Sequence, residues 1–91
     1  MNYLIDLRSD GQGTYYTTAK AAGSDLLRHW VVRRSQDRGQ NWEVLDDFLG
    51  TGNLGASALS VLIDTLGDVY VGGWEFVLGS NRGAVIRRLV P

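Results

Sequence analysis

Few residues in this chain have the types and spacing to act on another molecule. Two arginine doublets, Arg33-Arg34 and Arg87-Arg88, could hold an anion, and Trp30, Tyr70 and Trp74 could stack on a sugar ring. Each doublet follows an apolar pair, Val31-Val32 or Val85-Ile86, which favours arginines that serve their own strands. Trp30 also lies in an apolar run and is expected in the core. Trp74 follows Gly72-Gly73 near a strand end and, with Tyr70, is the better ligand-binding candidate. His29 is the only histidine, and beside Trp30 it reads as a hydrogen-bonded strand residue rather than a catalytic base. No second histidine or cysteine stands at a zinc-ligand spacing. The run Ser9-Asp10-Gly11-Gln12-Gly13 lacks the carboxylates of a calcium loop and reads as a turn. Asp46-Asp47 reads as the solvated end of a strand. Gly11, Gly13, Gly72 and Gly73 make no phosphate cradle, because no helix follows them.

The elements that would position these groups are short strands separated by turn residues. The pattern predicts strands over Tyr3–Leu7, Gly13–Ala19, Arg28–Arg34 and Trp42–Phe48, then Ala58–Ile63, Asp68–Phe76 and Gly83–Leu89. Between the third and fourth lies Ser35-Gln36-Asp37-Arg38-Gly39-Gln40-Asn41-Trp42, of the form Ser-x-Asp-x-Gly-x-x-Trp. A tight turn needs an acceptor for loose backbone N–H groups, which Asp37 supplies, and a residue tolerant of positive φ, which Gly39 supplies. Ser35 adds a short hydroxyl bond, and Trp42 returns an apolar face under the turn. The octapeptide is therefore a folding device.

That octapeptide resembles the Asp-box of sialidase-like and related bacterial β-propeller repeats. The flanking His29–Ser35 and Trp42–Phe48 resemble the strands around such a turn, and Gly67–Trp74 resembles the second strand of a blade. The resemblance implies an all-β chain of antiparallel propeller blades, with Ser35, Asp37, Gly39 and Trp42 as structural residues. Sialidase-like enzymes use an arginine cluster, a tyrosine nucleophile paired with an acid, and an aspartate, drawn from several blades. None of those catalytic motifs matches here. The resemblance therefore implies a non-enzymatic module without catalytic residues, cofactor or metal. A glycan-binding, lectin-like module is the alternative, and a sialidase-like glycosidase the remote one.

The repeat is legible without the resemblance. Val31-Val32-Arg33-Arg34 matches Val85-Ile86-Arg87-Arg88 at an offset of 54 residues (87 − 33), and the same offset takes Gly13–Thr17 onto Gly67–Val71. Tyr3-Leu4-Ile5-Asp6 matches Val61-Leu62-Ile63-Asp64, shifted by four further residues as a longer first turn would require. The chain divides into a first blade, 1–52, carrying the octapeptide hairpin, and a second, 53–91, lacking its fourth strand. The first unit is expected to begin without a counterpart of Gly50–Leu59. Several strands are apolar at consecutive positions, which suits a sheet buried on both faces. A monomeric β-sandwich of the same seven strands is the rival; it should alternate more cleanly, with one polar face outward.

Composition bounds the rest. With 91 residues there is room for one modest core, 44% hydrophobic content argues against disorder, and 12 glycines with one proline suit a hairpin-rich chain. A net charge of −1 leaves no electrostatic footprint for nucleic acid. There is no cysteine, and no run of about 18 apolar residues suggests a membrane span. The N-terminus has no signal-peptide pattern, so the compartment stays open. Two blades alone would leave large apolar faces bare. The expected partner is therefore a further copy of the chain, closing a ring of about four to eight blades, with a trimer favoured over a dimer or tetramer.

Overall fold

The computed structural model describes residues 2–78 and 81–89. They form seven strands and no helix: β1 (Asn2–Ser9), β2 (Tyr15–Ala22), β3 (Arg28–Ser35), β4 (Glu43–Phe48), β5 (Ala56–Ile63), β6 (Val69–Val77) and β7 (Asn81–Leu89). All pairing is antiparallel between neighbours in sequence, giving sheet 1 in the order β1-β2-β3-β4 and sheet 2 in the order β5-β6-β7. Residues 79, 80 and 91, which the sequence places in the last turn and at the end of the second unit, lie outside the described residues.

Sheets 1 and 2 are built to one plan. Ser9 pairs with Tyr15 and Leu7 with Thr17, as Ile63 pairs with Val69 and Val61 with Val71, so the offset is 54 throughout (63 − 9, 69 − 15). The second hairpin keeps it: Thr17 pairs with Arg33, and Val71 with Arg87. Each first strand also carries a bulge at an equivalent place, between Leu4 and Asp6 and between Ala58 and Ser60. The expected four-residue shift of the first strands is therefore wrong, and the expectation that the first unit has no counterpart of Gly50–Leu59 fails for the strand part of that segment, Ala56–Leu59. Asn2–Leu4 pair in the register of Ala56–Ala58, with Ile5 and Leu59 as the bulged residues.

The turns explain the equal length. The Asp10 carboxylate accepts N–H bonds from Gln12 (2.7 Å) and Thr14 (3.1 Å), and Asp64 accepts them from Leu66 and Asp68 (2.9 Å each). Gly13 and Gly67 then take the same left-handed backbone, at φ 94° and 85°. Asp64 thus corresponds to Asp10. Asp6, its apparent match, instead accepts the Val61 N–H at 3.0 Å and joins β1 to β5.

The sheets pack face to face, with β5 against β1, β2 and β3. Sheet 1 contributes Tyr16, Trp30 and Val32 to the core, and sheet 2 contributes Ala58, Val61, Val69 and Val71. Trp30 is fully buried and meets the Phe48 ring edge-on at 5.7 Å; burying an aromatic of this size stabilises by about 3 kcal/mol. Room for the indole comes from Gly73, where a Cβ would lie 2.9 Å from the Trp30 ring and would collide with the Ser57 carbonyl.

Candidate functional site

The octapeptide turn is a closed hydrogen-bond network. Ser35, fully buried at the end of β3, donates its hydroxyl to Asp37 Oδ1 (2.8 Å) and accepts the Gly39 N–H (2.8 Å). Asp37 accepts the Asn41 N–H at Oδ1 (2.8 Å) and the Asn41 amide at Oδ2 (2.7 Å). With its charged form so fully bonded, by Asn41 first and then Ser35, the Asp37 carboxyl is held down at about 2. Arg38 and Gly39 both take positive φ, at 62° and 90°. The Trp42 ring lies against Gly39, donates Nε1–H to its carbonyl (3.0 Å), and stays 42% exposed. Every acceptor of Asp37 that the turn uses points at the turn itself.

The charged residues are committed in the same way. Arg87 makes a two-pronged bond to Asp46 (2.8 and 3.1 Å) across the two sheets and lies 4.0 Å over the Phe48 ring. The expectation that Asp46 is a solvated strand end is therefore wrong; the Arg87 guanidinium engages both of its oxygens and the side chain is largely covered. Arg34 pairs with Glu43, and Arg88 with Asp68. His29 stands between two carboxylates, with Nδ1 2.7 Å from Asp47 and Nε2 3.0 Å from Asp25. Both nitrogens can donate only in the imidazolium, so Asp47 and then Asp25 raise the histidine's pKa. Arg33, the counterpart of Arg87, has no ion-pair partner among the described residues. No group of three or more His, Asp or Glu side chains converges on a cation site among those residues.

Trp74 and Tyr70 lie on one face of β6 with Gly72 between them, both half-buried. The structure does not leave Trp74 open as a stacking platform. Arg82 covers one face of its ring at 4.4 Å, and Phe76 abuts it at 4.7 Å.

The sequence leads to an expectation of bare apolar faces without naming their residues; exposed apolar side chains stand on the outer faces of both sheets. On sheet 1, Leu4, Leu7 and Val44 stand exposed around Thr17, Ala19 and Val31, which are themselves buried. On sheet 2, Leu62 and Ile86 stand exposed beside Tyr70 and Gly72. The offset of 54 alone does not reveal these faces: Val32 is buried in the core whereas its counterpart Ile86 is 79% exposed. Comparison with known protein families, with curated proteins and with solved structures finds no significant match.

Proposed function

We propose that this chain is a non-enzymatic assembly module: two β-propeller-type blades that complete a closed ring by associating with further copies. The observation that carries this reading is the pair of uncovered outer faces. Leu4, Leu7 and Val44 on one, with Leu62 and Ile86 on the other, present apolar side chains at strand positions where a sheet facing water should be polar. The repeated register and matching bulges support a blade-like unit that stacks on its own kind. Engagement of Arg34, Arg87 and Arg88 by Glu43, Asp46 and Asp68 favours structural roles over substrate binding. Three copies would give six blades, within the usual range of about four to eight. Molar mass by light scattering after gel filtration tests this: two, three or four chains per particle is the expected outcome, and a folded single chain at every concentration overturns it.

A glycan-binding reading rests on Tyr70 and Trp74 sharing one face of β6. Arg82 would have to leave the Trp74 ring for a sugar to stack there. A shift of Trp74 fluorescence on adding mono- or oligosaccharides, lost in Trp74→Phe, is the result that would establish it.

A further inference from the structure

The geometry points to a head-to-tail contact between copies, in which the outer face of sheet 2 seats on the outer face of sheet 1 of the next chain. This inference rests on the self-assembly reading and specifies its partner surfaces. Within one chain the two related sheets do not meet through equivalent faces. Sheet 1 packs inward with Tyr16 and Val32, whose counterparts Tyr70 and Ile86 lie on the outer face of sheet 2. Sheet 2 packs inward with Val61, Val71, Gly73 and Val85, whose counterparts Leu7, Thr17, Ala19 and Val31 lie on the outer face of sheet 1. The internal interface thus joins face X of one unit to face Y of the other. The chain ends up with one unpaired X, on sheet 2, exposing Leu62 and Ile86, and one unpaired Y, on sheet 1, exposing Leu4, Leu7 and Val44.

A contact of that kind can repeat from copy to copy, since each outer face carries the counterparts of a face that is packed inside the chain. The residues keep part of the internal pattern: Ile86 replaces Val32 and Tyr70 replaces Tyr16, while Ala84 stands where Trp30 does and Ala19 where Gly73 admits that ring, so the large knob and its hole shrink together. Arg33, at the position where Arg87 reaches across to Asp46 and Phe48, lies on the outer face of sheet 1 with no ion-pair partner among the described residues.

Two variants separate this arrangement from a symmetric one. Leu7→Asp blocks the sheet 1 face and Ile86→Asp the sheet 2 face, at side chains 51% and 79% exposed, so the fold should survive. Near-UV circular dichroism from Trp30 checks that it does, and Leu4→Asp and Leu62→Asp are the replacements for a variant that misfolds. Expected are single chains for each variant alone and a one-to-one pair when they are mixed, at a hundredfold the concentration at which the unaltered chain assembles. Homodimers of either variant alone would mean that like faces meet, overturning the head-to-tail contact while leaving self-assembly intact. A mixture that stays monomeric also overturns it. A monomeric unaltered chain would instead overturn the self-assembly reading itself.

Discussion

Sheets 1 and 2 share a register, a bulge and an aspartate-closed turn, yet their equivalent positions live in opposite surroundings. Val32 is sealed between sheets while Ile86 faces out; Ala19 faces out while Gly73 admits the Trp30 ring. Local pairing is thus dictated by the repeat, whereas what each position packs against is dictated by its place in the stack. Tolerance of substitution should follow the second and ignore the first.

The sharpest test sets Gly73→Ala against Ala19→Gly. A Cβ at Gly73 meets both the Trp30 ring and the Ser57 carbonyl, so the substitution should cost about 3 kcal/mol in urea unfolding. The equivalent Ala19→Gly loses only a methyl and some chain stiffness, about 1 kcal/mol. Equal costs would break the comparison. Next, Arg87→Ala should cost about 2 kcal/mol by stranding Asp46, while Arg33→Ala should stay within about 0.5 kcal/mol in the isolated chain.

The turn after β3 has no described counterpart after β7, and it offers a third probe. Ser35→Ala should cost about 1 kcal/mol through the lost Gly39 and Asp37 bonds. Because the Asp37 carboxyl is depressed to about 2, its contribution is complete above the ordinary aspartate value near 4 and is lost as pH falls through 2. Unfolding midpoints measured from pH 5 to pH 2 should decline, and Asp37→Asn should flatten part of that decline. The smallest effect belongs to His29. Its raised pKa gives a contribution complete below about 6.5, the unfolded value, and lost as pH climbs through the higher folded value. Thermal midpoints should therefore fall above pH 7, and less so in His29→Gln, where the equivalent position in sheet 2, Gly83, has nothing to titrate.

Much of this architecture was readable from residue order. The strand positions followed from apolar runs between turn residues, and the roles of Ser35, Asp37 and Gly39 from the chemistry a tight turn requires. The match of Tyr3–Asp6 to Val61–Asp64 misled because it rested on shared letters. Asp6 ties β1 to β5, and Asp64 closes a turn, as Asp10 does. Pairing Asp10 with Asp64 and Gly13 with Gly67 would have fixed one offset for the whole repeat. The direction of each face was not legible, because β2 and β3 are buried at consecutive positions, Tyr16 to Ala19 and Trp30 to Val32. Alternation then carries no information about which side meets the partner sheet, and only the tertiary packing reveals it.

The paired bulges have a consequence of their own. β1 and β5 are edge strands, and each carries its extra residue, Ile5 or Leu59, near the middle of its length. A bulge bends and twists an edge so that a straight strand from another molecule finds its ladder of amides interrupted. A chain with bare apolar faces is the kind most exposed to fibril growth. Here those two borders are poor templates, so cohesion is channelled through side chains across the faces, where shape is selective, and away from the backbone, which would accept any sequence.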